Sequence, residues 1–361
     1  MMQREEHLHN TVRLYEEDAY LAKCSAVVVR ARKCAENSEV YEIVLDRTVF
    51  FPEGGGQSPD TGWILPEGST ASDALRVRDV QIRGREIIHF VDAKTDEDAA
   101  EQAAEQAAED AADMITLPLA GDTVTAMIDW DRRFGFMQNH TGEHILSGIM
   151  HAKFGCDNVG FHLSDNTVTL DVNYHLTREQ VMDIEWEANE AVYRNLPVQV
   201  TYPDDEALQT IPYRSKKEIE GQIRIVTIPG VDICACCAPH VRNTGEIGII
   251  KIVRSMRWGD GTRLTIESGR RAFATLQSGQ FVLEEISHLT NRSRSECADG
   301  VRHLLQENAA QKERIKELSY EAANLRLAAI PADAVNAYLF AEEMDAVVQR
   351  NLVNKLMEEH E

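Results

Sequence analysis

Two short stretches hold the side chains best suited to chemistry: His140-Thr141-Gly142-Glu143-His144 and Cys236-Cys237-Ala238-Pro239-His240. Each sets two nitrogen or sulfur donors four residues apart, a spacing that places both on one face when the segment is helical. Ile145, Ile149 and Ala152 continue an apolar stripe beyond the first stretch, so His140 and His144 are expected on one helix face. Mixed imidazole and thiolate donors are too soft for Mg²⁺ or Ca²⁺ and suit Zn²⁺. Four candidates, His140, His144, Cys236 and His240, match a closed site by number, whereas a catalytic zinc typically keeps three protein ligands and an open position. Cys234 and Cys237 lie close by, and Cys237 is an alternative to Cys236 in the set. The first stretch also fits the inverted zincin pattern H-x-x-E-H, in which Glu143 would serve a metallopeptidase as general base. A third reading is non-enzymatic, a closed Cys/His zinc site that staples an RNA- or partner-binding module.

The frame around these donors is that of a globular chain. Its 361 residues are long enough for two or three domains, and 43% hydrophobic residues can bury a sizeable core. The start, Met1 to His7, has no apolar signal region, and apolar runs such as Ile247 to Val253 are too short to span a bilayer, so a cytoplasmic protein without membrane partners is expected. Seven cysteines, three of them within Cys234 to Cys237, point to reduced thiols for metal or structural use rather than a disulfide framework. The formal net charge is -23, and eight of the acids fall between Asp96 and Asp113 in an Ala/Glu/Gln tract without Lys or Arg. That tract is expected to be an inserted, solvent-exposed helix. Such acidity excludes promiscuous, tight nucleic-acid binding, yet leaves RNA contact to local clusters of Arg.

Taken in order, the expected class is α+β, with four segments. Residues 1–95 are β-rich and barrel-like, with strand patterns at Ala26 to Arg30, Val40 to Asp46, Val77 to Ile82 and Ile87 to Val91. Within them Gly54-Gly55-Gly56-Gln57 permits positive φ and close backbone approach to a ligand; an ordinary tight β-turn is the plain alternative. Residues 96–114 are the acidic insertion. Residues 115–275 carry the donors, with a strand at Asp122 to Asp129 and a helix from Thr177, its N-cap, to Asn195. Residues 276–361 form a helical extension. There Val301, Leu304, Asn308, Gln311, Ile315, Leu318, Ala322, Leu325 and Ala329 trace a heptad seam that would form a coiled coil or hairpin and can support a homodimer through 301–329.

In this order, Phe51-Pro52-Glu53-Gly54-Gly55-Gly56-Gln57, the His140/His144 pair and Cys236 to His240 followed by Val241 to Gly248 resemble the alanyl-tRNA editing proteins (AlaX), themselves similar to the editing half of alanyl-tRNA synthetase. The resemblance covers about Leu14 to Phe273, and the heptad tail resembles the long form. One departure stands out: the family loop commonly reads Cys-Gly-Gly-Thr-His where this chain has Cys236-Cys237-Ala238-Pro239-His240. The resemblance implies Zn²⁺-dependent hydrolysis of mischarged tRNA for alanine, carrying serine and also glycine. Thr48 would offer a hydroxyl to the amino-acid side chain, Gln138 and His162 would flank the metal, and Gly54, Gly55, Gly56 and Gln57 would lie beside the tRNA 3′ end. Arg254, Arg257, Arg263, Arg270 and Arg271, followed by Arg292, Arg294 and Arg302, would meet the tRNA body.

Overall fold

The computed structural model describes residues 10–34, 40–92, 117–215, 222–331, 334–336 and 346–359. The β-branched stretches of the N-terminal part form strands because alternate side chains share one interior. These are β1 (Lys23–Lys33), β2 (Val40–Leu45), β3 (Gly62–Pro66), β4 (Leu75–Arg83) and β5 (Glu86–Asp92), and β6 (Thr123–Ile128) joins them in a closed antiparallel barrel of order β1-β2-β5-β4-β3-β6. Along β6, Val124, Ala126 and Ile128 point inward to meet Ala26, Ile43, Ile64, Val77 and Val91. The barrel therefore does not end at the expected 95/115 boundary. Its last strand follows the acidic tract yet pairs with both β1 and β3, which removes the two open edges a five-stranded sheet would leave. The acidic tract itself, 96–114, lies outside the described residues. Residues Met1–Thr275 form one compact unit and Leu276–Glu361 another.

One polar residue inside the barrel makes stability depend on pH. His89 on β5 is fully buried, with Nδ1 3.0 Å from the Ile43 carbonyl and Nε2 2.8 Å from Thr48 Oγ1. The carbonyl can only accept, so Nδ1 carries the proton and Nε2 accepts from the Thr48 hydroxyl. Burial lowers the His89 pKa to about 4. Because the folded form resists a proton that the unfolded chain takes up near pH 6.5, stability is full above that pH and falls as the pH drops toward 4, by ~3 kcal/mol in all. Urea midpoints at pH 7 and pH 4.5 should reveal this loss, and His89→Gln should shrink it; equal losses in both proteins would contradict it.

After β6 the chain enters α1 (Trp130–Phe154), whose residues Phe136 to Met150 are buried all round. It continues through β7 (Asn158–Leu163), β8 (Val168–Val172), α2 (Arg178–Tyr193), β9 (Gln199–Thr201), β10 (Ile225–Ile228), β11 (Asp232–Ala235), β12 (Ile250–Trp258) and β13 (Gly261–Ser268). Two antiparallel sheets result, β12-β13-β8-β7 and β9-β10-β11. Thr177 caps α2 by accepting the Gln180 N–H at 3.2 Å, while the Gln180 side chain accepts the Thr177 N–H. Ile145, Leu146, Leu170, Ile184, Leu264 and Ile266 share the core between the helices and the larger sheet.

A buried ion pair fastens the barrel to α1. Arg133 has no exposure; its guanidinium is bonded to Asp60 and donates to the carbonyls of Val49 (2.7 Å) and Ala19 (3.0 Å). Asp60 in turn accepts the Phe51 N–H at 2.6 Å, immediately before the glycine motif.

The helix α3 (Arg270–Thr290) carries the chain into the second unit, which holds α4 (Cys297–Ala328) and α5 (Ala346–Glu359). Ala323, Val348 and Leu352 bury a small cluster between α4 and α5, and Asn351 donates to the Tyr320 hydroxyl at 2.6 Å. Val301, Leu304, Ile315, Leu318 and Leu325 of the heptad seam are exposed. Among the described residues no helix is long and apolar enough to cross a membrane.

Candidate metal centre

The structure brings His140, His144, Cys236 and His240 together, with their ligand atoms all within 4.8 Å of one another. The two histidines come from consecutive turns of α1, and the other two donors from the loop after β11. Each imidazole is oriented by a bond at Nδ1. His140 Nδ1 lies 2.8 Å from Gln57 Oε1, His144 Nδ1 lies 3.0 Å from Asp232 Oδ2, and His240 Nδ1 lies 3.0 Å from Thr141 Oγ1. The Thr141 hydroxyl donates to the Met137 carbonyl at 2.8 Å, so toward His240 it can only accept. All three rings thus hold the proton on Nδ1, which is how second partners fix a metal-binding tautomer, and all three Nε2 lone pairs are left for an ion.

The donor set fits Zn²⁺. A tetrahedron with Zn–S of ~2.3 Å and Zn–N of ~2.0–2.1 Å has S···N edges of about 3.5 Å. Cys236 Sγ lies 3.5 Å from His140 Nε2 and 3.4 Å from His240 Nε2. The electrostatics favour a thiolate. Burial works against charge on Cys236, yet His140, His240 and the bond to His144 hold its pKa well below the usual thiol range. Burial also opposes charge on His144, but Asp232 and Cys236 raise its pKa well above the ordinary value. His240 is pushed down to about 3 by burial. Asp232 is held by Arg214, whose Nε donates at 2.8 Å, so a guanidinium–carboxylate–imidazole chain ends at the donors.

Local backbone geometry makes these approaches possible. Gly148 lies one turn after His144, and a Cβ there would come within 2.4 Å of the Val231 carbonyl; only glycine lets the chain bring Asp232 so near α1. Gly54-Gly55-Gly56-Gln57 is a two-residue hairpin turn, closed by Gly54 N–H to Gln57 O (3.1 Å) and the reverse bond (3.0 Å), with φ of +61° at Gly55 and +83° at Gly56. The turn docks on β7: the Gly56 carbonyl accepts the Leu163 N–H at 2.7 Å, and the Ser58 N–H donates to the Leu163 carbonyl at 2.9 Å. That docking aims Gln57 at His140. The Gln57 Nε2 is buried without a partner, and the N–H groups of Gly55 and Gly56 make no hydrogen bond among the described residues.

Other expected site residues lie elsewhere. Cys237 is exposed beside Gly55 and outside the donor cluster, so Cys236 is the thiol among the imidazoles. The Thr48 hydroxyl is engaged by His89 and by the Phe50 N–H, inside the barrel. Gln138 donates to the Glu246 carbonyl at 2.8 Å and fastens a loop. His162 is exposed, because strand alternation turns it away from Phe161 and Leu163; it is the Phe161 ring that packs on His140, at 4.9 Å. Glu143 accepts from Ser147 Oγ (2.5 Å) and Asn158 Nδ2 (2.6 Å). Arg263 is bonded to Asp171 at 2.6 Å and stacked over Trp258, while Arg254 and Arg257 are exposed on the β12–β13 hairpin. Asp232, Arg214 and Thr141 were not singled out by the sequence reading. Thr141 sits inside the His140–His144 stretch itself, whereas Asp232 meets His144 across 88 residues, and no local pattern carries that pairing.

Comparison with known proteins supplies a context. Residues 223–264 match the family described as the threonyl and alanyl tRNA synthetase second additional domain, and residues 2–110 match class II (A) tRNA synthetases. The chain is 32% identical over 268 residues to the alanyl-tRNA editing protein AlaX-L of Pyrococcus horikoshii, covering 73% of this chain and 59% of that protein. It is 30% identical over 295 residues to the alanine–tRNA ligase of Methanothermobacter thermautotrophicus, covering 79% of this chain and 30% of the ligase. The ligase of Ignicoccus hospitalis is 31% identical over 287 residues, 77% of this chain and 28% of the ligase. The chain thus spans about three fifths of the editing protein and under a third of these ligases. Across about three quarters of its length this chain is similar to an alanyl-tRNA editing protein and to a section of alanine–tRNA ligases.

Proposed function

We propose that this chain is a trans-editing deacylase, hydrolysing the ester that joins serine or glycine to tRNA for alanine, at a Zn²⁺ held by His140, His144, Cys236 and His240. The observation that supports it most is the convergence of three Nδ1-protonated imidazoles on one thiol, beside a glycine turn with unused N–H donors. Zn²⁺ bound there would supply positive charge that stabilises negative charge developing at the ester carbonyl. Gln57 holds His140 in its donor tautomer, and its free Nε2, with the Gly55 and Gly56 N–H groups, offers hydrogen bonds to the aminoacyl end of the tRNA. Cys236 is the one donor residue that is not fully buried, so the substrate would enter on its side, past Gly55 and Cys237.

The need for such a site is physical. A synthetase pocket for a small apolar side chain cannot strongly reject the hydroxylated neighbour, and a second site that bonds the hydroxyl can reject alanine by leaving its own group unpaired. The peptidase reading would need Glu143 as a base at the donors, whereas its carboxylate is bonded to Ser147 and Asn158. Seryl-, glycyl- and alanyl-tRNA for alanine should be incubated in parallel with the zinc-loaded protein. Serine is expected to be released at least ~10²-fold faster than alanine, and chelation should stop the release. No serine release at micromolar protein would refute the proposal.

A further inference from the structure

A cavity of about 350 Å³, at the small end of ligand sites, lies along the first half of α1 and is lined by Asp131, Arg132, Gln138, Asp165, Arg270 and Arg271 among others. It opens on a different side of α1 from the donors. Gln138 precedes His140 by two residues, which turns its side chain about 200° away on an α-helix. Three arginines against two aspartates leave one positive charge, in a chain whose net charge is -23.

The pairings show where that charge resides. Arg132 is fully engaged: Nε and Nη2 bond both oxygens of Asp165 at 2.6 and 2.8 Å, and Nη1 donates to the Pro59 carbonyl. Arg270 faces Asp131 at 3.4 Å with both side chains well exposed, a pair that contributes little. Arg271 meets no carboxylate by hydrogen bond; its Nη2 donates to the carbonyls of Ser164 and Asp165, while its Nε and Nη1 make no hydrogen bond among the described residues. Gln138 is 7% exposed and held by its Nε2, and its Oε1 accepts no hydrogen bond among the described residues. The cavity therefore combines guanidinium donors suited to a phosphate with a neutral acceptor suited to a hydroxyl.

We infer that this cavity binds one sugar-phosphate unit of an RNA strand, with Arg270 and Arg271 on the phosphate and Gln138 Oε1 on the ribose hydroxyl. RNA is the polymer that presents both groups together, since each nucleotide carries a 2′-hydroxyl next to its phosphate. The inference rests on the deacylase reading only in taking tRNA as that RNA. Of the arginines expected to meet the tRNA body, it favours Arg270 and Arg271 at the start of α3 over Arg263, whose charge Asp171 answers.

Binding of uncharged tRNA for alanine to the full-length protein should be measured between 50 and 200 mM KCl for wild type, Arg270→Ala, Arg271→Ala and Arg271→Lys. Loss of one phosphate contact should flatten the slope of log K against log salt by ~0.7–0.9 and weaken binding several-fold in either alanine variant. Arg271→Lys should keep the wild-type slope, because the charge remains. Arg270 is exposed and holds no backbone group, so its variant is informative even if Arg271→Ala folds poorly. Wild-type slope and affinity in both alanine variants would overturn the cavity assignment while leaving the deacylase reading intact. A wild-type protein that binds no tRNA would overturn both. Competition by adenosine monophosphate as effective as that of tRNA would assign the cavity to a free nucleotide instead and overturn the RNA inference.

Discussion

Cys236→Ala should strip the site of its metal and abolish deacylation. The three imidazoles would remain oriented by Gln57, Asp232 and Thr141, but the one anionic donor would be gone. At metal concentrations of ~100–1,000 times Kd, bound Zn²⁺ stabilises a folded protein by about 2.7–4.1 kcal/mol, so the variant should unfold earlier by that amount. A chelator should then lower the urea midpoint of the wild type and leave that of Cys236→Ala unmoved. Asp232→Asn provides the graded comparison, since altering a partner of a ligating histidine lowers metal affinity by ~10–100-fold. Stoichiometric zinc retained in Cys236→Ala, measured by elemental analysis, would refute the four-donor assignment.

The largest loss of stability is expected for Arg133→Met. Removing the guanidinium leaves the Asp60 carboxylate buried with the Phe51 N–H as the one remaining partner of its side-chain oxygens among the described residues, and strands the carbonyls of Val49 and Ala19. Breaking a buried pair from one side destabilises by about 3–5 kcal/mol. The companion Asp60→Asn should restore part of the loss, because the uncompensated charge disappears, and a double-mutant cycle on urea midpoints measures that coupling. A loss under about 1 kcal/mol for the single variant would show that the pair does not fasten barrel to helix. The same variant should also weaken metal binding, because Asp60 anchors the start of the segment that delivers Gln57 to His140.

Much of the fold was legible because its signals are local. The Thr177 cap, the alternation in β6 and the helical spacing of His140 and His144 each depend on a few neighbouring residues. His162 was expected to flank the metal, although Phe161 and Leu163 beside it are apolar and period-two alternation sends it to the opposite, exposed face. What escaped was pairing over distance. That β6 closes the barrel across the acidic tract, that Asp232 orients His144, and that Thr48 is engaged by His89 are facts about residues 41 to about 100 positions apart. A single chain read by pattern holds no record of them. Gln57 was noticed for its glycine neighbours, and the structure gives it a different partner in His140 Nδ1.

The separation of the donors along the chain has a consequence during synthesis. His144 leaves the ribosome 92 residues before Cys236, an interval of about 5–18 s at ~5–20 residues per second. For that time the nascent chain displays a pair of imidazoles without its thiolate, a half-site that follows the ordinary affinity order of divalent ions and favours copper over zinc. Loading before residue 240 is made would follow that order, so the proposed preference for zinc depends on the late-made Cys236 thiolate. Gln57 and Phe161, the groups that bond and pack on His140, are both made by residue 161, whereas Cys236 and His240 come last.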